Sequence, residues 1–402
     1  MPLAATFEGI GVIREAEVRA DPKALRDLWT SPQTFALTGN HLPSNEQWLN
    51  ESLALIPSEY RTGHFVLMTS GSTGEPKLVV AKKSRAERLV EVIHVTQDNE
   101  PVCETIVCLP LSYSYAFVNQ WLWAHHIRRS LVVTEGFTRP AGLKDVLDAA
   151  HDAMICLVGI QVPLLSSLFG SRQFPGIIRV NFAGGCFPQE HLPELRRMFP
   201  NAKIFNNYGC AEAMPRLTIR RAADADTPAN IGRPLPEVEL RSREEDQLEF
   251  RSPFRAVAFI ENGIFRHVAD EEWIATGDLA RRGEDGSWML LGRKSEVFKR
   301  FGEKVSLPAL QAAVQRVWSG ELAFYREPDS SGENGHVMVV APHPPVDQLR
   351  SMLMELRRGF TRPHWPLRVE SLEHLPRLPN NKVDARALAD CNHATIQWIQ
   401  RC

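Results

Sequence analysis

The sequence predicts an α/β protein with a small β subdomain and a smaller α+β domain at its C-terminal end. Three observations carry this. From Phe65 onward, apolar runs of strand length alternate with polar turns and helical stretches, the pattern of layered, substantially parallel sheets. After about Ile231 the runs shorten and turn residues crowd in. Beyond Arg293 a new helix–strand–helix unit begins.

The elements follow in order. Residues 1 to about 60 read as short helices and loops, with Trp29, Trp48 and Leu53 as core contacts. "HFVLMTS", "ETIVCLPL", "RSLVVTE", "AMICLVG" and "IIRVNFAG" read as the strands of the large domain. "AMICLVGIQVPLLSSLF" is the longest apolar stretch, but Gln161 and Pro163 make it a buried strand running into a helix rather than a membrane span. "EVELRS", "QLEFRS", "AVAFIENG" and "LARRGEDGSWMLLGR" form the β subdomain, about 231–293, with Asp285-Gly286 as a hairpin turn. In "SLPALQAAVQRVW", Ser306 is placed to cap a helix whose buried face is Leu310, Val314 and Val317. "HVMVVA" is a strand, and "DQLRSMLMELRRG" is a second amphipathic helix closed by Gly359. The expected domains are therefore 1–293 and 294–402, with a hinge at Lys294.

Composition narrows the function classes. Of 402 residues, 44% are hydrophobic and 23% charged, with a net charge of -2, which gives no electrostatic case for nucleic acid or an anionic membrane surface. The seven cysteines form no CxxC pair and are odd in number, so neither a zinc site nor a disulfide framework is expected. Acidic residues come early in the N-terminal stretch, and no basic segment leads into an apolar one. No secretory signal is expected, and a cytoplasmic location is.

The strongest local signal is "TSGSTGEPK", Thr69 to Lys77, directly after a strand. Thr69, Ser70, Gly71, Ser72, Thr73 and Gly74 supply hydroxyls and backbone N–H groups able to wrap a polyphosphate, and Lys77 supplies charge. It is not a Walker loop, because Leu78 stands where a magnesium-binding Ser or Thr belongs. Read from composition alone, such a turn is more often just a surface loop.

The loop resembles the phosphate loop of the adenylate-forming superfamily, which includes acyl-CoA synthetases, aryl-acid ligases and nonribosomal adenylation domains. Four further motifs follow in that family's order. "NNYGCAEAMPR" is similar to its YGxTE motif. The resemblance implies that Tyr208 stacks on adenine, that Asn206, Asn207 and Gly209 line the nucleotide pocket, and that Glu212 holds Mg²⁺; the family's threonine is Ala211 here. "ATGDLARR" implies Asp278 on the ribose hydroxyls. "GRKSEVFKRFGEKVSL" implies Arg293 on the ribose, Lys294 as hinge and the Gly302 segment as the face meeting the thiol acceptor. "LPRLPNNKVDARAL" implies Lys382 as the catalytic lysine, with Asn381 in place of the family's glycine.

The family's acyl pocket maps to Tyr113, Ser114 and Tyr115 and, in "NFAGGCFPQEHLPELRRMFP", to Gly184 and Gly185. The aspartate that holds an amino-acid ammonium in relatives has no counterpart among the three, so an aromatic or short-chain acid is expected. The resemblance thus implies a large multi-layer adenylation domain with a mobile C-terminal domain. Its cofactors would be ATP and Mg²⁺, with CoA or a carrier protein's phosphopantetheine as acceptor. The phosphate loop starts early, near residue 69, implying a shortened N-terminal region. That favours a carrier-protein acceptor slightly and leaves room for a partner chain. The competing class is a non-catalytic binding protein on the same fold; a kinase fits the loop spacing less well.

Overall fold

The computed structural model describes residues 6–7, 9–39, 46–70, 76–97, 102–159, 161–185, 187–377 and 383–400. The chain divides into two compact units, Met1–Thr276 with Ala280–Leu290, and Gly277–Leu279 with Leu291–Cys402. Among the described residues no helix is long and apolar enough to cross a membrane.

The first unit is α/β and carries two mixed sheets. The larger runs, edge to edge, Glu239–Ser242, Gln247–Arg251, Ile274–Arg282, Trp288–Arg293, Asn230–Pro234, Thr218–Arg221, Lys203–Tyr208, Ile177–Ala183, Ala153–Val158, Glu104–Val107 and Ser130–Val133. Its last five strands are parallel. Four of these, all but Lys203–Tyr208, are strands read from apolar runs, and burial on both faces is why Ala153–Val158 and Ile177–Ala183 alternate so little.

The seven-stranded sheet runs Thr6–Phe7, Ile10–Arg14, Phe35–Thr38, His64–Ser70, Pro76–Lys82, Ala258–Glu261 and Ile264–His267. Three of its strands, Thr6–Phe7, Ile10–Arg14 and Phe35–Thr38, lie in the stretch expected to hold short helices and loops. They are too short for periodicity to reveal: Phe35–Thr38 is fixed by parallel pairing with His64–Ser70 and Ile10–Arg14, and Thr6–Phe7 by antiparallel pairing with Ile10–Arg14. The strands after Ile231, read as one subdomain, divide between the two sheets. Ala258–Glu261 pairs with Pro76–Lys82, a partner far away in sequence.

One core joins both sheets to the helix Lys83–Gln97 and the helical segment 114–126. Its aromatic centre is Trp29, with ring centroids 5.3 Å from Phe65, 5.7 Å from Phe117 and 5.8 Å from Trp121. Each such buried ring is worth several kcal/mol, about 3–5 on truncation. Within this segment Phe117–Leu122 is a π-helix. Such widened turns gather at functional sites, and here Gln120 Nε2 donates to the Ile106 carbonyl, 2.9 Å away.

The second unit holds a four-stranded sheet in the order Glu321–Pro328, Asn334–Ala341, Arg368–Ser371, Thr395–Ile399. The helices Leu307–Gln315 and Val346–Gly359 share its core through Leu310, Val314, Met352 and Leu356. Ser306 sits at the expected N-cap, but its side chain makes no capping hydrogen bond. Val317 lies beyond the helix end and is partly exposed.

Candidate functional site

The site in the first unit grows from two hairpins. In the first, His64–Ser70 pairs antiparallel with Pro76–Lys82, so that Thr69 stands opposite Lys77 and Ser70 opposite Pro76. The register closes the phosphate-loop segment between paired strands. Gly71, Ser72, Thr73 and Gly74 lie outside the described residues, so the hairpin defines only where the loop leaves and returns.

In the second, Lys203–Tyr208 pairs antiparallel with Thr218–Arg221. The connection between them is tight. It contains a 3-10 turn, Ala211–Ala213, and Met214 in the left-handed region at φ 58°. It closes with the Leu217 N–H donating to the Tyr208 carbonyl at 2.8 Å. Gly209 is required by close approach: a Cβ there would lie 2.0 Å from the Pro215 carbonyl oxygen. One short connection therefore carries two charged groups, Glu212 and Arg216.

Glu212 meets Lys77. The Nζ donates to Oε1 at 2.9 Å, joining groups 135 residues apart, and Glu261 Oε2 stands 4.0 Å from the same Nζ. Lys77 also sits over the Phe259 ring, 4.2 Å from its centroid. Burial alone would raise the Glu212 carboxyl. The nearby Lys77 charge and its hydrogen bond, the residue's own backbone and the Cys210 side chain overcome this and hold it below the ordinary range. Glu212 is thus a carboxylate at neutral pH, backed by a cation and an aromatic face.

Among the described residues no three His, Cys, Asp or Glu side chains cluster as a metal-ligand set. A divalent cation on Glu212 would take its other ligands from phosphate oxygens and water. A single hard carboxylate oxygen suits that arrangement.

Tyr208 is half-buried against the cluster of Ile231, Leu248 and Trp288. Asn206 Nδ2 donates to the Asn230 carbonyl at 3.3 Å. Asn207, expected to line the nucleotide pocket, instead turns into the interior. Its Oδ1 accepts from Arg216 Nη1 and, at 3.1 Å, from Gln97 Nε2, and its Nδ2 donates to Asn181 Oδ1 at 3.1 Å. Arg216 also donates from Nε to Asn119 Oδ1 and from Nη2 to Gln97 Oε1 at 3.3 Å.

Of the residues expected to form an acyl pocket, Tyr115 adjoins this network. Tyr115 is half-buried, and burial pushes its phenol well above the usual range. Its backbone carbonyl accepts from Asn119 Nδ2 at 3.1 Å. Ser114 begins the helical segment, and Tyr113, 36% exposed, precedes it as N-cap. Gly184 and Gly185 are exposed at the end of the strand that carries Asn181.

Sequence reasoning missed Gln97, Asn119, Asn181 and Arg216. The available signal was polar residues interrupting apolar runs: Asn181 in "IIRVNFAG" and Asn119 in "YAFVNQWLW".

In the second unit Asp278 is buried, and Arg293 Nε lies 3.3 Å from its Oδ1. Lys294 is exposed directly after. Gly302, with Phe301, forms the two-residue turn between Val297–Arg300 and Glu303–Ser306, both at positive φ, as a tight hairpin requires. Lys382 lies outside the described residues.

A family model described as AMP-binding enzyme matches residues 15–253. The Delta-poly-L-ornithine synthetase of Acinetobacter baumannii is 26% identical over 375 residues, covering 85% of this chain and 27% of that protein. The chain therefore spans about a quarter of that synthetase's length. A D-alanine–D-alanyl carrier protein ligase of Staphylococcus epidermidis is 22% identical over 345 residues, covering 81% of this chain and 70% of the ligase. Among solved structures, an anthranilate CoA ligase in complex with anthranoyl-AMP superposes with a TM-score of 0.69 at 16% identity. It covers 95% of this chain and 78% of its own. At that identity the likeness establishes the fold.

Proposed function

Since the chain belongs to the AMP-binding enzyme family, we propose that it activates a carboxylic acid with ATP and passes the acyl group to a thiol. The observation that carries the reading is the Lys77–Glu212 pair, at the mouth of the loop hairpin. A cation and a carboxylate held together there are poised to part around a polyphosphate, with Lys77 turning to phosphate oxygens and Glu212 to the accompanying cation.

In the first step an oxygen of the acid attacks the α-phosphorus of ATP. A new P–O bond forms as the bond to the departing pyrophosphate breaks, giving acyl-AMP. Mg²⁺, when bound at Glu212, neutralises phosphate charge. The chain's own part is placement and charge balance: the Thr69–Lys77 segment around the phosphates, Tyr208 against adenine, and Asp278 with Arg293 on the ribose. Lys382 acts at the carboxylate and α-phosphate oxygens, where charge accumulates. In the second step a thiolate attacks the acyl carbon and AMP leaves. The acceptor is CoA or a carrier protein's phosphopantetheine, approached through the Gly302 turn. The carrier-protein ligase and the CoA ligase among the similar proteins support both.

The acid is aromatic or short-chain. Tyr113, Ser114 and Tyr115 offer aromatic faces and a hydroxyl without a carboxylate to hold an ammonium, and the resemblance to an anthranilate ligase is consistent with this. Ala211, which lacks the hydroxyl of the family motif, favours the non-catalytic reading.

The test is pyrophosphate release from MgATP, without thiol, across aryl, fatty and amino acids, with acyl-AMP identified by mass. Acid-dependent release is expected, and Lys382→Ala should abolish it while sparing thiol transfer from supplied acyl-AMP. ATP binding with no release for any acid would sink the catalytic reading in favour of the non-catalytic one.

A further inference from the structure

The network around Arg216 is unbalanced. Arg216, Asn119 and Asn181 are fully buried, and Asn207 and Gln97 nearly so. Three amide oxygens face the guanidinium: Asn119 Oδ1, Asn207 Oδ1 and Gln97 Oε1. Among the described residues no carboxylate pairs with it. A guanidinium carries five N–H donors, and three acceptors leave two unused.

The surplus extends beyond arginine. Asn181 Oδ1 already accepts from Gln97 Nε2, at 3.0 Å, and from Asn207 Nδ2, so the amide cannot be reversed without setting donor against donor. Among the described residues its Nδ2 has no acceptor within hydrogen-bond distance, and neither has the Tyr115 hydroxyl, which lies beside the Cys156 thiol and the Asn207 amide. Internal counter-charge is missing as well. Burial raises Tyr115 far above neutrality and pushes the Cys156 thiol up to about 12, so neither is an anion at pH 7. Arg216, pulled down by burial to about 10, keeps its charge there.

A buried cation ringed by neutral amides and spare donors is costly unless an anion joins it. Besides the end of the helix Lys83–Gln97 and the strand Lys203–Tyr208, three segments meet in the cluster: the Tyr115 helix, the strand Ile177–Ala183 that leads to Gly184-Gly185, and the Glu212 connection. All three belong to the acyl and nucleotide sites of the reading above.

Resting on that reading, we infer that Arg216, with Asn181 and Tyr115, binds a second anionic group on the acid, so that the substrate is a dicarboxylate activated at one end. Asn181 lies three residues inward from exposed Gly184, a span of about 10 Å along a strand. The second carboxylate therefore stands several bonds from the reacting one, which excludes the shortest diacids.

The experiment compares matched acids in the pyrophosphate assay: isophthalate, terephthalate, glutarate and adipate against their monomethyl esters and against benzoate and pentanoate. Wild-type protein should favour at least one diacid over its ester by about 100-fold in kcat/KM, since a site built for a polar partner rejects the analogue that leaves it unpaired. Arg216→Gln should bring that ratio close to one through loss of the diacid rate, and Arg216→Lys should restore part of it. The wild-type comparison stands even where a variant fails to fold. Equal or better use of the monoacids and esters by wild type would overturn the inference while leaving acid activation intact. Silence with every acid would overturn the activation reading and this one with it.

Discussion

His336 offers a quantitative test of how the second unit is built. The imidazole is fully buried on the strand Asn334–Ala341, edge-on to Phe298 and Phe324 at 5.9 and 5.6 Å, and neither nitrogen has a hydrogen-bond partner among the described residues. Burial first, then the charges of Arg300 and His364, lower its pKa from the ordinary 6.5 to about 3. The folded value lies below the unfolded one, so the unfolded chain takes up a proton that the folded chain refuses. Stability is fully present above about pH 6.5 and is lost as the pH falls toward 3. With about 1.4 kcal/mol per pH unit, the loss between pH 7 and pH 5 comes to about 2 kcal/mol. His336→Leu removes the titration and should remove that increment. The assay is chemical denaturation at both pH values, followed through tryptophan fluorescence, with wild type and variant compared so that other titrations cancel. Identical pH dependence in the two proteins, within about 0.5 kcal/mol, would refute the argument, since a group this buried cannot titrate without cost.

Three further outcomes are expected. Gly209→Ala drives a methyl group into the Pro215 carbonyl, so it should displace the connection bearing Glu212 and Arg216 and lower pyrophosphate release at least about 10-fold. The three N–H groups of Lys83 are shared among four backbone carbonyls, of Leu28, Trp29, Ser31 and Gln33. Lys83→Met leaves them unpaired and should destabilise the chain by about 2 kcal/mol, read as a lowered Tm. Because Glu212 is held below its ordinary value by Lys77, the stabilisation from this pair is intact above about pH 4.5 and is lost as acid protonates the carboxylate. Glu212→Gln should lack that component in acid denaturation and should also slow pyrophosphate release.

Much of the fold was legible because the parallel strands are buried on both faces. "HFVLM", "AMICLV" and "IIRVNFA" announce themselves by hydrophobicity alone, and the phosphate-loop segment by its Gly, Ser and Thr. Ile10–Arg14 and Phe35–Thr38 were not legible. Each is four or five residues long; they become strands by pairing with each other, and Phe35–Thr38 also with His64–Ser70. The polar cluster was hidden for a related reason. Gln97, Asn119, Asn181 and Arg216 each look like a single blemish in an apolar or loop segment. Only the adjacency of Ile177–Ala183 and Lys203–Tyr208, and the turn back at Pro215, bring them together. Asn207 was singled out by a family motif, while its hydrogen bonds to Arg216 and Gln97 became visible only in the fold.

The phosphate-loop hairpin also governs the order in which the chain can be made. Pro76–Lys82 is covered on one side by its immediate predecessor and on the other by Ala258–Glu261. During synthesis the second partner emerges only after some 175 further residues, which is long enough for the exposed flank of Pro76–Lys82 to remain an open edge on the ribosome. The matched family region ends at residue 253, short of that partner. A fragment cut there would keep every residue of the loop and Glu212, yet would present an unprotected strand to its neighbours. Such a fragment should self-associate through that edge, whereas one extended past His267 regains the covering strands.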